Sequence, residues 1–151
     1  MFAISIHPAT KADASTIAAL IQRTVRISNA ADYDAVTIAA ICNNFTPALV
    51  SEKMRTRDVF IARSGNNICG TISLGNGKLH SLFVDPDHQR SGIGRDLALY
   101  LEGHARNTGL TELHLSSSLT ARSFYARLGY RDIRFEPRPD GSTWLMVKLL
   151  A

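Results

Sequence analysis

The run Gln89-Arg90-Ser91-Gly92-Ile93-Gly94-Arg95 has the residue types of an anion-binding turn. A glycine-bearing loop that opens a helix leaves the first backbone N–H groups without intrahelical acceptors. They point outward with the positive end of the helix dipole behind them, and a phosphate fits there. Arg90 and Arg95 flank this turn. A Walker loop is excluded, because Gly94-Arg95-Asp96 stands where Gly-Lys-Ser/Thr is required. A dinucleotide turn needs a third glycine, and Leu97 occupies that place. Glu112 lies where a ribose-binding acid would, which alone is weak support. A helix start that uses glycine only for its turn is also compatible with this spacing.

The elements around the turn can be read from periodicity. Leu82-Phe83-Val84 ends a strand from Lys78, and Asp85-Pro86-Asp87 turns the chain. Ile93, Leu97, Leu101 and Ala105 recur every four residues and form one stripe of a helix that ends near Gly109. Upstream, Phe2 to Ile6 alternates as a strand, and Thr10 caps a helix from about Lys11 to Thr24. A second short helix runs to about Asn43. Phe45 to Arg57 is the least readable stretch, since Pro47 argues against a long helix. Asp58–Arg63 and Ile68–Leu74 are strands, and Gly75-Asn76-Gly77 signals a hairpin. Downstream, Glu112–Ser116 is a strand and Ala121–Leu128 a short helix. Tyr130–Glu136 and Thr143–Leu149 are two further strands. The order β, α, α, β, β, β, α, β, α, β, β predicts an α/β mixed sheet with helices on its faces.

Bulk properties fit one globular domain over residues 1–151, with 45% hydrophobic and 20% charged residues. No apolar run approaches the roughly 20 residues of a membrane helix, and the N-terminus lacks a secretory pattern. Cys42 and Cys69 form no metal or redox spacing, which predicts buried thiols in a reducing, cytoplasmic setting. The net charge of +4 suits a polyphosphate cofactor, an acidic partner or nucleic acid. Arg122, Arg127, Arg131, Arg134 and Arg138 are spread out rather than massed, which argues against a dedicated nucleic-acid surface.

The wider string changes what the turn implies. Val84 to Arg95 resembles the acetyl-CoA-binding motif of the GNAT superfamily of N-acetyltransferases, [RQ]-x-x-G-x-[GA] after a strand end, matched at Gln89, Gly92 and Gly94. Ala121-Arg122-Ser123-Phe124-Tyr125-Ala126-Arg127-Leu128-Gly129-Tyr130 is similar to that family's A-x-x-F-Y-x-x-L-G-F/Y segment. Ile4-Ser5-Ile6-His7-Pro8-Ala9-Thr10 resembles its opening, with His7 where arginine is commoner. The resemblance spans essentially the whole chain. It implies the GNAT acyl-CoA N-acyltransferase fold, a central, mostly antiparallel sheet flanked by helices, and it leaves a homodimer open.

The roles it implies are specific. Gln89, Arg90, Ser91, Gly92, Ile93, Gly94 and Arg95 would surround the coenzyme A pyrophosphate, while Leu82, Phe83 and Val84 would pair main-chain groups with the pantetheine arm. An N–H at Phe83 or Val84 would polarise the thioester carbonyl. Tyr125 would be the general acid that protonates the departing thiolate. His80 is the first candidate base, placed by strand alternation on one face with Leu82 and Val84. His114 is a lesser one. Asp85 and Asp87 read as turn chemistry. Ser118 stands where relatives carry a cofactor-touching asparagine, with shorter reach. Cys69 has no implied histidine neighbour. The expected reaction is direct transfer of acetyl from acetyl-CoA, without a metal, to a primary amine of a small molecule or peptide. The rival is an acyl-CoA-binding or regulatory module without turnover. Ser28 to Arg57 and Pro137 to Ser142 would set the acceptor. Asp32, Asp34 and Glu52 are candidates to attract a cationic amine, though a solvated face explains them equally.

Overall fold

A computed structural model describes residues 3–150 of the chain. Seven strands form one sheet: β1 (Ile4–Pro8), β2 (Asp58–Ser64), β3 (Asn67–Gly75), β4 (Lys78–Val84), β5 (Glu112–Ser118), β6 (Arg131–Glu136) and β7 (Thr143–Leu149), in the order β1-β2-β3-β4-β5-β7-β6. Every neighbouring pair is antiparallel except β4 and β5. The helices are α1 (Ala14–Ser28), α2 (Ala35–Asn43), α3 (Pro47–Met54), α4 (Ile93–Asn107) and α5 (Arg122–Arg127). The predicted element order holds with one addition, α3. The expected strand start at Phe2 lies outside the described residues.

Alternation in the central strands divides the core into two layers. Phe60 and Ala62 of β2 face α4, whose stripe Ile93, Leu97, Leu101 and Ala105 is entirely buried. Ile61 faces the other way, into a cluster with Ile17, Ile21 and Val25 of α1 and Val50 of α3. The β3–β4 hairpin closes through Asn76 and Gly77 at φ 52° and 72°, the left-handed pair that a two-residue turn of this twist needs.

Helix ends follow their capping chemistry. Thr10 donates through its backbone N–H (2.8 Å) and its hydroxyl (3.2 Å) to Asp13, so Asp13 secures the turn that leads into α1. Asp34 accepts from the Thr37 N–H at 2.7 Å and starts α2. Pro47, which argues against a long helix, begins a short one of eight residues. It occupies the first turn behind Thr46, whose hydroxyl accepts from Leu49 N–H at 3.2 Å. Proline's missing N–H costs nothing there, and its fixed φ is already helical.

A buried polar network crosses the α4 layer. Glu102 is fully buried and accepts from the Tyr130 hydroxyl at 3.0 Å and from Lys148 Nζ at 2.9 Å. Tyr130 in turn stacks edge-on against Tyr125, with ring centroids 5.7 Å apart. Removing one partner of a buried pair strands the other's charge. Lys148→Met should therefore lower stability by about 3 kcal/mol in urea unfolding, whereas Glu112→Gln on the surface should not register.

Candidate active site

The site begins where two parallel strands separate. β4 and β5 pair only at Lys78↔His114 and Leu79↔Leu115, so Leu82 to Val84 have no strand beside them on that side. A bulge in β4 accompanies the parting. The register against β3 shifts by one residue between Thr71 and Ser73, and Ser81 sits at φ 55°. The extra residue resets side-chain parity. Leu79, Leu82 and Val84 all pack on the α4 layer, while Phe83 packs on the α1 layer. The alternation that placed His80 on the face of Leu82 and Val84 is therefore broken, and His80 lies on the opposite face. The bulge also bears on the backbone donors. Asp85 N–H donates to Cys69 O at 2.8 Å. Counting back by twos, the Phe83 amide also belongs to the β3 ladder, and the amides of Val84 and Leu82 face the gap.

Two cavities meet at this gap. The first, about 460 Å³, lies between the β4 end, the α4 start and α5. Its lining includes Leu82, Phe83, Val84, Gln89, Arg90, Gly92, Ile93, Gly94, Arg95 and Ser118, together with His88 and Arg127. It contains no aspartate or glutamate. The second, about 420 Å³, lies on the other side of the parting and holds His80. Asn29, Leu82, Phe83, Ser118, Ala121 and Tyr125 border both. Of the sequence-predicted site residues, Ser91 and His114 line neither cavity. The Ser91 hydroxyl donates to His88 O, and His114 is held in the β5 ladder.

The α4 start is a cradle of unused donors. Among the described residues, no acceptor meets the N–H groups of Gly92, Ile93, Gly94 and Arg95. The first bond of the helix is Asp96 N–H to Gly92 O at 3.0 Å. No side chain caps this end, and Arg90, Arg95 and Arg127 enter no ion pair among the described residues. Gly92 and Gly94 serve different purposes. Gly92 sits at φ 88°, and a Cβ there would meet nothing. Gly94 is helical, but a Cβ on it would lie 3.3 Å from Phe124 Cζ and 3.5 Å from Val84 Cγ2. Arg90 also takes a left-handed φ of 65°, a strained conformation for a residue with a side chain. Gln89 braces the loop, its Nε2 donating to Val84 O (3.0 Å) and Ser28 Oγ (2.9 Å). Arg23 grips Asp85 at 2.5 Å and Asp87 at 3.2 Å, and Asp85 accepts from Asp87 N–H, so both acids do serve the turn. A row of free N–H groups with three uncompensated guanidinium groups fits a pyrophosphate.

Tyr125 is buried at the common wall. Burial alone pushes its phenol above the ordinary range, and its hydroxyl finds no hydrogen-bond partner among the described residues. His80 is held differently. Its Nε2 lies 3.2 Å from Gly75 O, and a carbonyl only accepts, so Nε2 carries the hydrogen and Nδ1 keeps the lone pair. Burial first, and then the nearby Arg57, push its pKa down to about 4. Cys69 is buried and donates to Ala62 O at 3.4 Å. Burial raises its thiol, the opposite of an activated nucleophile.

Several functional contacts escaped sequence reading. Tyr33 accepts from Leu119 N–H and donates to Ser142 O, both at 2.8 Å, and so ties the α1–α2 loop to the loops after β5 and β6. Lys53, Arg57 and Arg138 line the second cavity, whereas the carboxylates expected to attract a cation do not. Asp32 accepts from Thr120 (2.6 Å), Asp34 caps α2, and Glu52 pairs with Arg55 at 3.3 Å on the surface.

Comparison with known proteins agrees with this geometry. The acetyltransferase (GNAT) domain family matches residues 29–150. An uncharacterized N-acetyltransferase of Methanocaldococcus jannaschii is 37% identical over 89 residues, and the match covers 54% of this chain and 56% of that relative. This chain thus aligns with little more than half the length of that curated relative. A GCN5-related N-acetyltransferase from Rhodopseudomonas palustris superposes with a TM-score of 0.92 at 22% identity, covering 99% of this chain and 98% of the other. The PaiA N-acetyltransferase of Thermoplasma acidophilum, solved in complex with coenzyme A, gives 0.82 at 19% identity, covering 97% and 99%. YncA from Salmonella typhimurium, solved with its cofactor acetyl-CoA, gives 0.70 at 22% identity, covering 99% and 95%. At these identities the structural likeness is one of fold.

Two outcomes test the local physics. Gly92→Ala should cost about 1–2 kcal/mol in thermal unfolding, because its penalty is backbone conformation rather than space. His80 titrates near 4 when folded, against its ordinary 6.5. The unfolded chain thus takes a proton that the fold resists. Stability should be unaffected by His80 above pH 6.5 and fall as the pH drops from 6.5 toward 4. His80→Gln should flatten that part of the pH–stability curve.

Proposed function

Since this chain belongs to the GNAT acetyltransferase family, we propose that it is an N-acetyltransferase that moves the acetyl group of acetyl-CoA to a primary amine by direct attack, with both bound at once. Family membership indicates an acyltransferase. The observation that carries the finer reading is the pair of cavities meeting at Tyr125, one rich in phosphate donors and one facing it across the parted strands. Two reactants can then occupy opposite sides of a single reacting point, which removes the entropic cost of their encounter.

In this reading the N–H groups of Gly92 to Arg95, with Arg90, Arg95 and Arg127, hold the pyrophosphate. Gln89 keeps the loop in place, and Leu82 to Val84 pair with the pantetheine arm as an added strand. Acetyl-CoA, when bound, supplies the thioester that the amine attacks. The gap-facing amide of Leu82 or Val84 donates to the thioester carbonyl, where negative charge develops. As the nitrogen–carbon bond forms and the carbon–sulfur bond breaks, one proton must leave nitrogen and one must reach sulfur. Tyr125 gives its phenolic proton to sulfur. The burial that raises the phenol also desolvates the thiolate and raises its proton affinity, so the transfer stays matched. His80 is neutral throughout the physiological range. Its Nδ1 lone pair accepts a hydrogen bond from the neutral amine and orients it, and the proton released on attack passes to water.

Incubation with acetyl-CoA and a panel of small amines and peptides should release free thiol. Tight acetyl-CoA binding with no turnover on any amine would favour the binding-module reading instead. Tyr125→Phe should lower kcat by about 100-fold or more with coenzyme A affinity unchanged by calorimetry. An unchanged rate at saturating substrates across pH would remove Tyr125 as the acid. Because burial raises its pKa, the parent enzyme should show no alkaline loss of kcat from Tyr125 below about pH 10.

A further inference from the structure

The acceptor cavity carries a charge that its own walls do not balance. Arg57, just past the end of α3, is half-buried in it, and its guanidinium makes no ion pair or hydrogen bond among the described residues. Burial pushes its guanidinium below the ordinary value. Lys53, one turn earlier, is also half-buried. It donates only to Asn44 O and lies 4.1 Å from the Phe45 ring centroid. Burial and the neighbouring Arg57 depress its ammonium as well. Arg138 adds a third cation from the β6–β7 loop, but this one is paired with Glu136 at 3.7 Å, and Asp140 is the one carboxylate in the lining. Arg57 is moreover seated rather than loose. Its stem lies so close to Gly75 that a Cβ there would come within 2.8 Å of Arg57 Cγ. The same Gly75 carries the carbonyl that orients His80.

Two uncompensated cations side by side in a partly dry wall disfavour the empty state, and an arriving anion relieves both. A guanidinium with free donors is shaped for the two oxygens of a carboxylate or the oxygens of a phosphate. The remainder of the wall mixes apolar Ile41, Phe45, Leu79 and Phe83 with polar Asn29, Asn44, Ser81, Ser116 and Thr143. Resting on the transferase reading above, we propose that the acceptor is a small amine that also bears an acidic group, a carboxylate or a phosphate, held by Arg57 with Lys53. The same cations do a second thing. They disfavour the ammonium form of the incoming amine, so a larger share of it is the neutral nucleophile at pH 7. A polycationic acceptor such as a polyamine or aminoglycoside meets the wrong sign of charge here.

The experiment uses matched acceptors with the intact protein. Amino acids with apolar side chains are compared with their own carboxamides, with aminoalkyl phosphates and with spermidine. Free-thiol release is followed for each, together with calorimetric binding in the presence of coenzyme A. The acid-bearing amines should exceed the carboxamides in kcat/KM by about ten- to a hundredfold, the scale of a charge-assisted hydrogen bond. The carboxylate and phosphate arms decide which acid is preferred. Arg57→Gln should raise KM for the acid and bring the acid-to-carboxamide ratio near one, with coenzyme A affinity unchanged. Arg57→Lys, which keeps the charge and the fold but loses the fork, should recover part of the ratio. Faster turnover of carboxamides or spermidine overturns the acidic-acceptor inference and leaves the transferase standing. Selective binding of the acids without turnover upholds the site and overturns the transferase. Absence of both selective binding and selective turnover of the acid-bearing amines overturns the inference.

Discussion

Everything in the site depends on β4 and β5 letting go of one another. Parallel strands that begin paired at Lys78 and Leu79 would ordinarily continue their ladder, because each unpaired backbone group in a sheet interior is costly. Here the bulge at Ser81 turns β4 aside after two residue pairs. The backbone from Leu82 to Val84 is left with polar groups facing a gap. That gap is a vacancy in the hydrogen-bonding scheme of the sheet, and an extended ligand arm is the natural group to complete it. The anion cradle and the buried tyrosine matter only because this vacancy lies between them.

Rigidity is supplied from behind. The Tyr125 hydroxyl has no hydrogen-bond partner among the described residues, yet its ring is enclosed by Phe124 on one side and Tyr130 on the other. Tyr130 is in turn fixed by the buried Glu102. Aromatic edge contacts of this kind restrict rotation without consuming the hydroxyl. The phenol is thus positioned by packing while its proton stays unassigned. Across the gap, the loops are tied by Tyr33 and by the Asp32–Thr120 contact rather than by the sheet.

How much of this could be read in advance follows from the range of each interaction. The α4 turn and stripe were legible because they depend on residues within four positions of each other. Asp85 and Asp87 were legible as turn acids for the same reason. The stretch from Phe45 to Arg57 was hard to read because the meaning of Pro47 depends on where a helix begins, and Thr46 decides that. His80 was placed on the wrong face because nothing local announces the bulge: Ser81 is not a glycine, yet it adopts φ 55°. Tyr33 bonds to partners 86 and 109 residues away, beyond any periodicity. Arg57 is informative through what it lacks, and the absence of a partner is a property of the folded chain alone.

The shared wall at Tyr125 has a consequence for how such a protein can change. The groups that face the phosphate cradle belong to the β4 end, the α4 start and α5. Lys53 and Arg57 come from the segment around α3, and Arg138 and Asp140 from the β6–β7 loop. Few residues border both cavities. Substitutions can therefore accumulate around the second cavity without disturbing the first. A lineage built on this plan can exchange one acceptor for another while its common chemistry is inherited intact, and divergence is expected to concentrate in α3 and the β6–β7 loop.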